Sequence, residues 1–384
     1  MSSWSEHLAA VRARVREVNA RELATRQAQG ELLVLDVREP DELASGLIPG
    51  AKAVPRGLLE QRIEALAKPS QPLAIYCAGG TRSALAADTL QTLGYRDVVS
   101  LSGGISAWRE AGFPIEAPPD TSWAARFARQ IVMPQVGLAG QEKLRAARVL
   151  CVGAGGLGSP VALYLAAAGI GTLGLIDDDK VDLSNLQRQI LHDELWVGRP
   201  KTDSATDRLT RLNRELRVEA MPVRLTASNA LELVAGWDVV VDGTDNFETR
   251  YLINDACVLN KIPNVHGAIL HFDGQVAVYN HANGPCYRCL HPSPPPAHLA
   301  PSCAEAGVIG AVCGVVGSLQ AVEVVKLILG VGQSLAGRLL SIDLLNGEVR
   351  GLKVRRDPDC PLCGEAPTIT TIDPVSWTCG YHPF

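Results

Sequence analysis

From residue 31 to about 115 the chain alternates short apolar runs with stretches of helical period. The runs are Leu32-Leu33-Val34-Leu35, Leu73-Ala74-Ile75-Tyr76 and Val98-Val99-Ser100-Leu101, and residues 83–93 between the last two read as a helix closed by Gly94. Continuous apolar runs joined through helices are strands buried on both faces, so the pattern predicts a small α/β domain with a parallel sheet. Ala117-Pro118-Pro119-Asp120-Thr121-Ser122 interrupts it as a linker. A second α/β unit follows Arg126, with strands expected at 148–152, 172–176, 217–222 and 239–242, then 262–265 and the alternating run 275–279. A Pro-rich segment at 291–301 breaks the rhythm before a long apolar helix, 307–329, and a strand pair around 337–354. The expected organisation is a helical lead-in (1–30), an α/β domain (31–116), a linker (117–125), a larger Rossmann-like domain (126–367) and a tail (368–384) without usable pattern. No internal repeat is visible.

Composition narrows this picture. The 384 residues are 47% hydrophobic with a net charge of −5, which suits globular domains and gives no reason to expect a nucleic-acid partner. The N-terminus mixes Arg12, Arg14 and Arg16 with Glu6 and Glu17 and has no apolar centre, so it does not read as a signal peptide. The one membrane-like stretch, 306–322, carries several glycines with Ser318 and Gln320 and runs into Glu323 and Lys326; a buried helix explains it better. Ten cysteines that include two CxxC pairs suit a reducing compartment, and a cytoplasmic protein is expected.

Gly153-Ala154-Gly155-Gly156-Leu157-Gly158 follows one strand and opens the helix 159–168, and Asp177 ends the next strand. Such a turn lets backbone approach phosphate, and a carboxylate at that distance can hold ribose hydroxyls. Alone, the motif is a weak signal, and an NAD-binding unit is its far commoner bearer. Downstream come Ser184-Asn185-Leu186-Gln187-Arg188-Gln189, Gly198-Arg199-Pro200-Lys201 and Asp242-Gly243-Thr244-Asp245-Asn246. Hydride transfer has little use for Arg188 and Lys201, whereas nucleotidyl transfer needs cations against a departing pyrophosphate. Asp245 could hold Mg²⁺ against the phosphates. Each of these charges taken singly is also compatible with a solvated loop.

The cysteines sort by setting. Cys286-x-x-Cys289 and Cys360-x-x-Cys363 together offer a closed tetrahedral zinc site of structural type, with a redox CxxC as the alternative. Cys77 ends a strand and opens Cys77-Ala78-Gly79-Gly80-Thr81-Arg82-Ser83 directly before a helix. Backbone N–H groups, the helix dipole and Arg82 would favour an anionic sulfur there; the alternative is an inert buried thiol. Cys303 lies between the Pro-rich segment and the apolar helix, Cys151, Cys257 and Cys313 read as core, and Cys379 is unplaced.

Arg126-Phe127-Ala128-Arg129-Gln130, GAGGLG, DDDKVDLSNLQRQ, GRPK, GTDN, the CYRC and CPLC pairs and SCAEAGV, in that register over 126–367, resemble the MoeB/ThiF adenylyltransferases, relatives of ubiquitin-activating enzymes. Asp36-Val37-Arg38-Glu39-Pro40, Ile48-Pro49-Gly50-Ala51, CAGGTRS and Leu101-Ser102-Gly103-Gly104 resemble rhodanese sulfurtransferases, with Leu47 where that family usually has His. The first resemblance implies an ATP site built from Gly153, Gly155, Gly156, Gly158, Asp177, Asp179, Ser184, Asn185, Gln187, Arg188, Lys201, Asp245 and Asn246. It also implies structural zinc, and a homodimer in which Arg129 reaches the neighbouring subunit's site. The expected partner is a small ubiquitin-like sulfur carrier ending in Gly-Gly, whose terminal carboxylate is adenylylated. Cys77, loaded as a persulfide by a cysteine desulfurase or thiosulfate, then attacks the acyl-adenylate. Cys303 either engages the carrier covalently or is a tolerated loop cysteine. The second domain is closest to MoeB-type enzymes, which points to the molybdopterin-synthase small subunit; thiamine, tRNA-thiolation and siderophore carriers are alternatives. An NAD-dependent oxidoreductase with a fused sulfur-binding domain and a non-catalytic scaffold are the readings of different class.

Overall fold

The computed structural model describes residues 3–30, 32–117, 122–293 and 307–372, and the chain divides into two units, 1–121 and 122–384. Strands β1 (Arg16–Val18), β2 (Leu33–Asp36), β3 (Lys52–Ala53), β4 (Leu73–Tyr76) and β5 (Val98–Leu101) form the first sheet, in the order β1-β5-β4-β2-β3. Every neighbouring pair is parallel. All of β4 and β5 is buried, as their apolar sequences, broken only by Ser100, require. Helix Thr81–Thr92 buries Ala84, Ala86, Ala87 and Leu90, and its small residues let it lie close to β5.

The stretch 1–30, expected as a helical lead-in, holds two helices and also a strand that belongs to the sheet. Helices Trp4–Arg14 and Ala20–Ala28 flank β1, which joins the sheet edge beside β5. Three residues are too few to show a period, so only tertiary pairing reveals this strand.

In the second unit β6 (Arg148–Val152), β7 (Thr172–Ile176), β8 (Arg217–Met221) and β9 (Val239–Asp242) are parallel. They continue through β10 (Asn264–Leu270) into the antiparallel β11 (Asp273–Tyr279), β12 (Arg338–Asp343) and β13 (Glu348–Lys353). The order is β13-β12-β11-β10-β9-β6-β7-β8. From β6 the chain moves outward to β7 and β8, then returns to the other side of β6 as β9. That reversal opens a crevice at the C-terminal ends of β6 and β9, where doubly wound sheets bind ligands.

The long apolar helix runs Gly310–Leu329 and lies across β10, β11 and helix Gly158–Ala168. It is long and apolar enough to cross a membrane by length and composition, yet half of its most apolar window is buried inside the unit. Two residues explain its seat. A Cβ on Gly317 would stand 2.5 Å from Pro160 Cγ and 2.7 Å from the Leu157 carbonyl, so only glycine lets the two helices meet there. Gln320 Nε2 donates to the carbonyls of Asp242 (2.8 Å) and Val265 (3.1 Å), pinning the helix to the ends of β9 and β10.

Candidate functional site

A cleft of about 310 Å³ occupies the crevice. Gly153, with φ +95°, lies against Gly243; a Cβ would stand 2.9 Å from the Gly243 carbonyl. Gly153, Gly155, Gly156, Asp177, Asp179, Arg188, Lys201, Asp245 and Asn246 all line the cleft, so residues spread over about ninety positions converge as expected. Asp177 Oδ2 accepts from the Ala154 N–H (2.8 Å) and Oδ1 from the Asp179 N–H (2.9 Å), which ties the glycine loop to the end of β7. Each oxygen keeps acceptor capacity for a ribose hydroxyl. Lys201 is buried and its Nζ donates to Asp179 Oδ2 at 2.7 Å.

Other expected binding residues stand one step back. Arg188 Nη2 donates to Asn185 Oδ1 (3.0 Å) and Nη1 to the Ser184 carbonyl (3.4 Å), so Ser184 and Asn185 orient Arg188 rather than line the cleft. Gln187 is exposed, and its carbonyl faces Gly310 closely enough that a Cβ there would collide with it. Gly158 opens the helix against the Gly153 carbonyl with no room for a side chain. Arg129 sits exposed on helix Ala128–Ile131 and does not line the cleft of its own chain. Cys303 and Cys379 fall outside the described residues.

Sequence reasoning missed the cleft's inner support. His192 is buried, with Nε2 2.9 Å from the Ala154 carbonyl and Nδ1 3.0 Å from Ser204 Oγ. The carbonyl can only accept, so Nε2 carries the proton and Ser204 donates to Nδ1. Burial holds the imidazole below its usual pKa, against the pull of the Ala154 carbonyl. Behind Asp245, the Asp242 carboxylate accepts from His266 Nδ1 (2.8 Å) and from Thr244 N (3.0 Å) and Oγ1 (2.6 Å), which fixes the loop that presents Asp245. Gln320 was legible as a polar break in an apolar run; His192 had no such signal.

In the first unit Cys77 is buried at the end of β4, and the Gly80 N–H donates to its Sγ at 3.1 Å. The carbonyl of Cys77 accepts from Ile105 N at 2.9 Å, and Gly104 passes so close to it that a Cβ would collide. Thus the Gly103–Gly104 pair holds the loop from below. Arg82, expected to add positive charge beside the sulfur, has a carboxylate partner of its own. Its guanidinium forms a two-pronged ion pair with Glu42 (2.6 and 2.7 Å), because Glu42 projects from the turn after β2 towards the loop. Arg82 holds the Glu42 carboxyl down at about 2, mainly through these hydrogen bonds.

The four paired cysteines come together. Cys286, Cys289, Cys360 and Cys363 have sulfurs within 4.8 Å of one another, with separations of 3.4, 3.6 and 3.9 Å along three edges. A tetrahedron of thiolates about 2.3 Å from zinc has edges of about 3.8 Å, whereas a disulfide needs about 2.0 Å. The cluster is therefore compatible with zinc and not with a redox disulfide pair in this state. It joins the segment after β11 to the segment after β13, apart from the cleft, whose lining includes none of the four.

Comparison with known proteins agrees with both halves. A ThiF family model matches residues 127–362 and a rhodanese-like domain model matches 19–111. The sulfur carrier protein adenylyltransferase of Thermus thermophilus is 54% identical over 260 residues, covering 66% of this chain and 96% of that protein. The adenylyltransferase and sulfurtransferase MOCS3 of Anopheles gambiae is 51% identical, covering 67% of this chain and 58% of its own length. For MOCS3 of Bos taurus the figures are 47%, 76% and 65%, so the match spans less than two thirds of these two relatives. Among solved structures, Escherichia coli MccB with ATP superposes with TM-score 0.52 at 23% identity, covering 68% of this chain and 85% of that one, which shows a shared fold. The cleft with its two cations, the cysteine loop and the matched residues agree: this chain belongs to the ThiF family and carries a rhodanese-like domain.

Proposed function

We propose that the protein adenylylates the C-terminal glycine of a small ubiquitin-like sulfur carrier and then converts that carboxylate to a thiocarboxylate with sulfur from Cys77. The observation that carries the reading is the meeting of Arg188 and Lys201 with Asp177 and the glycine loop in one cleft. A hydride-transfer site needs no such pair, and pyrophosphate departure does. In this reading the glycine loop receives the phosphates, Asp177 the ribose, and Arg188 and Lys201 the charge that develops on pyrophosphate. Asp245, exposed on the cleft wall, would hold Mg²⁺, which would supply positive charge against the phosphates. The protein is proposed to be a cytoplasmic homodimer in which Arg129 completes the neighbouring subunit's cleft. The molybdopterin-synthase small subunit is the carrier proposed.

The carboxylate itself cannot be attacked, because oxide is a poor leaving group; AMP is a good one. The Cys77 persulfide attacks the acyl carbon, AMP leaves, and an acyl disulfide joins carrier and enzyme. Cys303 then attacks Cys77 Sγ, releasing the thiocarboxylate and leaving a Cys77–Cys303 disulfide that a reductant resets. Val308, five positions beyond Cys303, lines the cleft, which supports a thiol arriving from that segment.

ATP–pyrophosphate exchange that requires a carrier ending in Gly-Gly is the test. Arg188→Ala, Lys201→Ala and Asp245→Ala are each expected to lose about 10²–10³-fold. Near-normal exchange in all three would overturn the assignment. Cys77→Ala is expected to keep exchange and lose persulfide-driven thiocarboxylate, and Cys303→Ala to slow its release. Mixing Arg129→Ala with Asp245→Ala protein is expected to restore part of the exchange if the clefts are shared across a dimer.

A further inference from the structure

With Arg82 engaged by Glu42, an anionic sulfur on Cys77 needs other donors. The Gly80 N–H is one. The second candidate is Ser83, wholly buried, whose Oγ lies 3.6 Å from Cys77 Sγ. A serine hydroxyl has one proton, and in this state Ser83 directs it at the Gly80 carbonyl, 3.1 Å away. That carbonyl also accepts from the Ala84 N–H at 3.2 Å, so it stays satisfied if the Ser83 proton turns away. Behind Ser83, the Ser100 hydroxyl donates to Ser83 Oγ at 2.9 Å. Ser100 is wholly buried and is the lone polar residue of β5, flanked there by Val98, Val99 and Leu101. Burying a hydroxyl in an apolar strand is unfavourable unless its hydrogen bond is used.

We infer that Ser100 is a positioning residue for sulfur transfer: by donating to Ser83 it fills one of that hydroxyl's two lone pairs, and the Ser83 proton swings from the Gly80 carbonyl to the anionic sulfur of Cys77. Occupying one Ser83 lone pair from behind orients the hydroxyl towards the loop, and a chain of two hydroxyls polarises the last O–H. The chain acts when thiosulfate serves as probe. The Cys77 thiolate attacks the outer sulfur, the S–S bond breaks, and sulfite leaves with the electron pair. Cyanide then takes the outer sulfur as thiocyanate and returns the thiolate. Both anionic states of Cys77 use the same donors. The inference rests on the reading of Cys77 as the sulfur-carrying thiol.

The test is made on the full chain with Ser83→Ala, Ser100→Ala, Ser100→Thr and the Ser83→Ala/Ser100→Ala double variant. Expected for each alanine variant is a fall of about tenfold in kcat for thiosulfate:cyanide transfer, the size of one hydrogen bond to an anion, with KM changed less than twofold. Alkylation of Cys77 by iodoacetamide, followed by peptide mass, is expected to move to higher pH in both. The double variant is expected to be no slower than Ser83→Ala alone, since Ser100 acts only through Ser83. Ser100→Thr, which keeps the hydroxyl, is expected to stay nearer the wild type. A wild-type kcat and alkylation profile in Ser100→Ala, or losses that multiply in the double variant, would overturn the inference. Wild-type protein that takes up no persulfide on Cys77 would instead overturn the reading beneath it.

Discussion

His192 stands behind the glycine loop with both nitrogens engaged, neutral because burial disfavours its charged form. In the unfolded chain it takes up a proton near its ordinary value, while in the folded chain it does so only at lower pH. Between those two values the unfolded state binds more protons, so stability falls as pH falls, by at most about 1.4 kcal/mol per unit. Melting of the second unit is expected to drop as pH is lowered through the range below about 6.5, and His192→Gln is expected to remove that slope while lowering stability at pH 8. Parallel pH curves for the two proteins would contradict the assignment. Arg188, Lys201 and Asp245, which line the cleft, were legible because they stand in motifs. Those that hold the motifs in place were not: His192, Ser100 and Glu42 act through contacts with residues 38, 17 and 40 positions away, and no local pattern marks such a contact.

Among the elements, the helix Gly310–Leu329 and the cysteine clip make separate predictions. Gly317→Ala pushes a methyl into Pro160 and the Leu157 carbonyl, and overpacking of this kind costs about 1–3 kcal/mol. Because Gln320 of the same helix reaches the end of β9, the variant is expected to lose exchange activity as well as melting temperature; activity kept at full level would show that the cleft does not depend on the helix seat. Replacing Cys360 with Ser is expected to abolish binding of one zinc per chain, measured by metal analysis, and to lower melting by about 10 °C. A Cys360→Ser protein that still holds one zinc would refute the four-cysteine site. Strands four or five residues long with predominantly apolar sequence were read correctly at β4, β5, β6, β7 and β9. β1 and β3, with three and two residues, exist by virtue of their neighbours and leave no mark in the sequence.

At the scale of the whole molecule, each unit has its own sheet and its own buried cluster, Leu35, Ile75 and Leu90 in one and Leu150, Val240 and Ile253 in the other. Calorimetry is expected to resolve two transitions, and chelation of metal to move only the one that belongs to the second unit, since all four cysteines lie there. A single transition that shifts as a whole on chelation would contradict this independence. On the proposed function, keeping both chemistries on one chain would raise the encounter rate of persulfide and acyl-adenylate without new contacts. The ion pair between Lys201 and Asp179 gives the cleft a latch of its own. A nucleotide that brings β- and γ-phosphates can trade one partner of Lys201 for another. On the proposed reaction the β- and γ-phosphates leave as pyrophosphate when the acyl-adenylate forms, and Lys201 would then return to Asp179 and disfavour the return of pyrophosphate. The forward step would thus be latched from within, by a carboxylate that competes with the reactant's tail and outlasts it.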